Sequence, residues 1–434
     1  MHFLSTREGL SATLSEALIA GLAPDGGLYV PACFPQVDCS DFKEGQSLSE
    51  VAQTLLKPFF AGDGLEGLLP EISDETFHFD IPLRQLNETT SVLELFHGPT
   101  AAFKDVGAGF LASSLSRLSV DGERARTVLV ATSGDTGSAV AAAFHKKPNV
   151  DVVILYPKGK VSPRQEAQLT CWDENVRTFR TRGVFDDCQR IVKEAFADEA
   201  LRQSLNLTTA NSINIGRLLP QMVYYAFAAT THYRRHGRKP GFIVPSGNLG
   251  NVIACLYARQ CGLPIGEVVL AVNQNEPVRH YLETGVYRAF ETISTLANAM
   301  DVGHPSNMER LRALWPDIDG LRDQISVDQV SDSTIEEVIR DGQDHFGEVW
   351  DPHTACAVAA RKNVDDTSAW ILVSTAHPAK FESIVEPLIG KEVPVPDPLQ
   401  RLLNRPDRAV EIDATLAALK AEIASPVSSR SEER

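Results

Sequence analysis

Residues 95–105 read Leu95-Phe96-His97-Gly98-Pro99-Thr100-Ala101-Ala102-Phe103-Lys104-Asp105. The stretch opens apolar, like the end of a strand, and breaks at Gly98-Pro99, a strong turn signal. Phe103, Val106, Phe110 and Leu111 then recur at helical spacing. Lys104 is therefore predicted in the first turn of a helix, where the dipole favours negative charge. The positive helix end lowers an amine's pKa, and desolvation between phenylalanines and a glycine-containing turn acts the same way. A lysine kept partly neutral is a nucleophile of the kind that condenses with an aldehyde. A surface lysine that simply follows a turn fits the same residues.

Working outward, strands and helices alternate from about residue 90. The predicted strands are Thr127–Ala131, Asp151–Tyr156, Val176–Arg180, Phe242–Val244, Val268–Val272 and Ala369–Ser374, with a weaker signal at Ile325–Val327. The predicted helices are Ser138–Ala143, one capped by Ser162 with Pro163 and Gln165 behind it, Asp186–Phe196, a long Ile213–Tyr233, and Val252–Tyr257. Such alternation implies parallel sheets covered by helices. The first ~85 residues differ. Thr13 with Glu16 and Ser47 with Glu50 are capping-box patterns, Gly21 is a helix stop, and Leu28–Pro31 reads as a short edge strand. The expected architecture is α/β: two open, mainly parallel α/β domains with a mostly helical N-terminal unit. The expected boundaries are 1–88, 89–210, 211–400 and a C-terminal helix and tail at 401–434.

The bulk properties narrow the function. At 434 residues the chain holds two or three domains. Its net charge of −16 argues against nucleic acid or an anionic membrane as partner. It also means that an anionic substrate needs positive groups gathered locally. Seven cysteines with no Cys-x-x-Cys pair argue against a zinc site or disulfide framework and fit a reducing cytoplasm. No signal peptide is evident at Met1–Ser5, and no apolar run reaches the roughly 18 residues of a membrane helix.

Two glycine-containing turns, Thr132–Gly137 and Ser246–Gly250, each join a strand to a helix and could present backbone N–H groups to an anion. Neither is a P-loop or a dinucleotide turn. The first carries Asp135, which would repel a phosphate; the second offers Ser246, Gly247, Asn248, Leu249 and Gly250 with no acid. The second is thus the better phosphate cradle, although a purely structural tight turn fits either. Asn211, Ser212 and Arg217 sit where a helix start could bring a cap and a guanidinium to one anion. A capped helix with one exposed arginine fits them too.

The blocks Phe96–Thr100 with Phe103–Asp105, Thr132–Gly137, Asn211–Asn214, Pro245–Gly250 and Thr375–Phe381 resemble, in order, the signature segments of the threonine synthase family. Gly21–Pro31 resembles that family's N-terminal segment. The resemblance implies pyridoxal 5'-phosphate (PLP) in a cleft between the two α/β domains, with Lys104 carrying the cofactor. It implies that residues 246–250 hold the cofactor phosphate, that Thr375 faces the pyridine nitrogen, and that Asp135 lies near the ring oxygen. Ser133 and Thr136 would face the substrate, and Asn211, Ser212, Arg217 and Asn251 would hold its phosphate. Relatives carry asparagine where Asp135 stands; a helix-capping role for Asp135 stays open. His97 and His377 read as histidines beside turns, with acid–base work as the alternative.

The implied reaction is O-phospho-L-homoserine plus water giving L-threonine and phosphate. A phospho-lyase releasing 2-oxobutyrate and ammonia is one alternative, and a non-catalytic phosphometabolite-binding protein is another. Subunit number is not readable from the chain.

Overall fold

The computed structural model describes residues 1–118, 125–132, 134–365 and 367–424. Ser133 and the polar tail Ser425–Arg434, expected to fray, lie outside the described residues. Both N-terminal capping boxes form: Thr13 starts the helix Leu14–Ala20, which Gly21 ends at φ 68°, and Ser47 starts Leu48–Phe60. The strand Tyr29–Pro31 is the edge of a small antiparallel sheet with Phe3–Ser5 and Ser11–Ala12.

Two larger sheets carry the rest. One is five-stranded and all parallel, in the order Val410–Asp413, Val176–Arg182, Val150–Pro157, Arg126–Ala131 and Leu207–Thr208. The other runs Ser326–Gln329, Val268–Val272, Gly241–Pro245, Trp370–Ser374, Thr90–Glu94 and Leu83–Gln85, with only the last strand antiparallel.

Sheet membership does not follow the contiguous 89–210 and 211–400 division. Thr90–Glu94 lies inside the expected 89–210 unit, yet it pairs with Trp370–Ser374 of the 211–400 unit, from Thr90 opposite Trp370 to Glu94 opposite Ser374. Its five residues are all buried, and a strand buried on both faces carries no pattern that names its neighbours. At the other end of the chain, the segment expected to hold only a helix contributes Val410–Asp413 as an edge strand of the first sheet. Arg182 pairs with Glu411 at 2.6 Å and Asp413 at 2.8 Å there, so the edge is charged.

The single helix predicted for Ile213–Tyr233 is two: Ile215–Leu218 and Gln221–His236. Pro220 separates them, because it lacks an N–H and restricts the residue before it. The other expected helices are present, extended by one to a few residues at their ends.

The stretch 95–105 is sewn to the end of the strand Trp370–Ser374. Leu95 N donates to Ser374 O at 2.9 Å, Phe103 N to Thr375 O at 2.8 Å, and His377 N to Ala101 O at 3.0 Å. The helix Lys104–Arg117 then packs against Asp135–Phe144, which follows a strand of the other sheet. Lys104 therefore stands where the two sheets' helices and strand ends meet.

Candidate active site

Lys104 is the first residue of its helix, as predicted, and its side chain is 15 % exposed. The turn before it is closed by Asp105, whose carboxylate accepts from Thr100 N at 2.9 Å and Thr100 Oγ1 at 2.6 Å. A Cβ on Gly98 would lie 2.5 Å from Asp105 Oδ2, so only glycine admits that carboxylate.

Lys104 Nζ reaches Asp135 Oδ2 at 3.5 Å. Burial pushes its pKa below the ordinary lysine value; Asp135 opposes the shift, while Lys380 and Arg217 reinforce it. Asp135 opens the helix Asp135–Phe144 but caps nothing. Its Oδ1 meets Lys380 Nζ at 3.0 Å and Gln165 Nε2 at 3.1 Å. Burial alone would raise the pKa of Asp135, but the Lys380 and Lys104 cations outweigh it and hold the carboxyl well below its usual range. Thr136, next on that helix, is half-buried. The turn is shaped by Thr132 Oγ1, which accepts from Gly134 N at 3.0 Å and Gly137 N at 2.9 Å.

The second turn runs from the strand Gly241–Pro245 into the helix Gly250–Gln260. Leu249 takes φ 64°, which turns the backbone sharply before the helix. Ser246 N is tied to Ala271 O, whereas none of the described residues accepts from the N–H groups of Gly247, Asn248, Leu249 or Gly250. The turn is braced from outside: Asn248 donates to Ser212 Oγ at 2.5 Å and accepts from Ser306 N at 2.6 Å, and Asn307 Nδ2 donates to Asn248 O at 2.9 Å.

Arg217 lies on the one-turn helix Ile215–Leu218 and is buried, not exposed. Burial pulls its pKa down to about 10, against the pull of Asp105. It donates through one terminal nitrogen to Ala210 O at 2.6 Å, while its Nε has no partner among the described residues. The cap of that helix is Asn214, which accepts from Gly216 N, so Asn211 and Ser212 stand just before it. Asn251 is also buried; its Oδ1 receives the hydroxyls of Tyr224 at 2.6 Å and Tyr225 at 2.8 Å, and its Nδ2 is unpartnered among the described residues.

Thr375 is buried at the strand end, with its N–H donated to Thr354 Oγ1 at 3.3 Å. The two histidines have structural partners. His97 Nε2 meets Glu94 Oε2 at 2.6 Å, and His377 Nδ1 accepts from Ala379 N at 3.1 Å.

Four residues beside the site were not read as part of it: Gln165, read only as a helix-cap residue, Lys380, quoted only within the Thr375–Phe381 block, Asn307 and Arg310. Lys380 had a signal, a lysine between Ala379 and Phe381 just past a strand; Arg310, on an ordinary amphipathic turn, had none. Arg310 is fully buried and donates to Tyr29 O, Asn307 Oδ1 and Ile213 O, at 3.0, 2.6 and 2.6 Å.

These residues suit a phosphate-bearing aldehyde. The free N–H groups of residues 247–250 lie at a helix N-terminus and suit a phosphate. Lys104 is the shielded amine, and Arg217 Nε and Asn251 Nδ2 are buried donors with no partner among the described residues.

Comparison with known proteins agrees. Residues 81–374 match the family described as pyridoxal-phosphate dependent enzyme, residues 2–77 the threonine synthase N terminus, and residues 354–423 the threonine synthase C-terminal region. The chain is 40 % identical to the threonine synthase of Haemophilus influenzae over 94 % of its own length and 96 % of that protein. It is 37 % identical to that of Escherichia coli, covering 94 % and 95 %. The crystal structure of PLP-bound threonine synthase from Brucella melitensis superposes with a TM-score of 0.90 at 34 % identity, covering 98 % of both chains. The chain belongs to the threonine synthase family of PLP-dependent enzymes.

Proposed function

We propose that the chain converts O-phospho-L-homoserine and water to L-threonine and phosphate, and that it does so in the cytoplasm. The observation that carries the substrate assignment is the pair of buried, unpartnered donors, Arg217 Nε and Asn251 Nδ2. A buried donor without a partner costs roughly 1–3 kcal/mol, which a bound phosphate would recover. All seven cysteines are free, and among the described residues no helix is long and apolar enough to cross a membrane.

PLP, when bound, supplies an electron sink for carbanion chemistry at the substrate's α-carbon. Lys104 is the residue that would hold its aldehyde carbon, with residues 246–250 on its phosphate, Thr375 toward its nitrogen and Asp135 toward its ring oxygen. With the cofactor and substrate bound, Lys104 would be the base that takes the Cα proton and later returns one. Thr136 would face the substrate's amino-acid end. Asn211, Ser212, Arg217 and Asn251 would orient the γ-phosphate and neutralise it as it leaves Cγ. Thr375 offers a hydroxyl where a carboxylate would favour a protonated ring, which leaves more of the proton transfer to Lys104.

Purified protein, loaded with PLP and given phosphohomoserine, should release threonine and phosphate in equal amounts, and Lys104→Ala should release neither. Release of 2-oxobutyrate and ammonia in place of threonine would replace this reading with that of a phospho-lyase.

A further inference from the structure

Two lysines share one buried carboxylate. Lys380 is fully buried and doubly engaged: its ammonium reaches Asp135 Oδ1 at 3.0 Å and donates to Thr100 O at 2.7 Å. Lys104 makes the longer 3.5 Å contact to the other carboxylate oxygen and otherwise lies 5.5 Å from the centre of the Phe103 ring. Asp135 Oδ1 is further occupied by Gln165 Nε2. A carboxylate whose closer contacts are already taken neutralises the second cation poorly.

We propose that Lys380 is a positioning residue for the reaction: by occupying Asp135 and the Thr100 carbonyl, it leaves Lys104 as the lysine of the pair that gives up its proton. This rests on Lys104 being the cofactor lysine. Lys380 also fastens the carbonyl of Thr100, whose N–H and hydroxyl both bind Asp105. It therefore anchors the turn that aims Lys104 as well as the acid that faces it.

The charged groups facing Lys104 from the elements packed around it are few. Asp135 opposes loss of the proton, and Lys380 and Arg217 favour it. Asp105 acts on Arg217, and His353 acts on Asp135. Of the two cations that favour proton loss, Lys380 is the one in direct contact with Asp135.

The test labels the cofactor-free full-length protein with an amine-reactive reagent over a pH series and follows the Lys104 peptide by mass spectrometry. Wild-type Lys104 should label with a midpoint below that of the exposed lysines. Lys380→Gln keeps donors for Asp135 and Thr100 but removes the charge, and should raise the midpoint by about one pH unit or more. Lys380→Arg should restore it toward the wild-type value. Asp135→Asn should move it the opposite way, downward, which a general loosening of the fold would not do. A Lys380→Gln midpoint equal to wild type in a folded protein overturns the proposal, as does a wild-type Lys104 that titrates like a surface lysine. Should Lys380→Gln not fold, Lys380→Met is read in its place by the same criterion. Failure of the cofactor role would show separately, as borohydride reduction of the loaded enzyme trapping no adduct on Lys104.

Discussion

Replacing Arg310 with methionine tests how the 211–214 segment and the 246–250 turn are held. The guanidinium donates to Tyr29 O in the N-terminal sheet, to Ile213 O within the Asn211–Asn214 segment, and to Asn307 Oδ1. Asn307 in turn donates to Asn248 O and, at 3.4 Å, to Ser212 O. One side chain thus joins the N-terminal unit to both loops. All three acceptors are neutral, and burial pulls the pKa of Arg310 down to about 10. At about 1.4 kcal/mol per pKa unit, that lowering corresponds to about 3 kcal/mol against keeping the charge there, net of the opposing pulls of Tyr257 and Glu309, and methionine would relieve it. Against it stand three charged-donor hydrogen bonds at about 2 kcal/mol each, whose buried acceptors methionine would leave unpaired. The net expectation is a destabilisation of about 3 kcal/mol in urea unfolding followed by tryptophan fluorescence. The freed loops should also raise KM for phosphohomoserine by about tenfold. A loss below about 1 kcal/mol with KM unchanged would refute the reasoning.

Gly247→Ala would place a Cβ 2.6 Å from Met300 Cα and 2.9 Å from Met300 O, both backbone atoms. The turn must then shift, and PLP affinity measured by titration should fall at least about tenfold; unchanged affinity would remove these N–H groups from the cofactor site. Arg217→Lys keeps a charge but loses the planar fork, so KM for phosphohomoserine should rise about 10- to 100-fold with the bound-cofactor absorbance unaltered. An unchanged KM would place the substrate phosphate elsewhere. Burial, with His97 adding to it, pulls the pKa of His377 down to about 4. The unfolded chain, titrating near 6.5, therefore binds the extra proton first, and stability declines as pH falls from about 6.5 to 4. His377→Asn keeps an acceptor for Ala379 N and should remove up to about 3 kcal/mol of that decline; denaturation midpoints across the window that parallel wild type would contradict it.

Much of the candidate site was legible because it is local. A turn signal followed by helical spacing placed Lys104 at a helix start, and strand–turn–helix order located the turns at 132–137 and 246–250. Capping boxes at Thr13, Ser47 and Ser162 located three helix starts, since each depends on residues three apart. The burial of Arg217 was not legible. Six residues of spacing suit an exposed guanidinium as well as a buried one, and it is the packing of the short helix Ile215–Leu218 that buries it.

Residue order along the chain was enough for the class of fold, the positions of the turns and the helix start that carries Lys104, because each follows from local pattern. Distant pairing needed the folded molecule. Thr90–Glu94 joins Trp370–Ser374, some 280 positions away, through backbone hydrogen bonds that carry no side-chain code. The sharing of Asp135 between Lys104 and Lys380, and the tie that Arg310 makes from Tyr29 to Ile213, arise in the same way. Such contacts depend on where whole sheets and helices dock, and no periodicity in the chain encodes the charge that a neighbour brings from the far end.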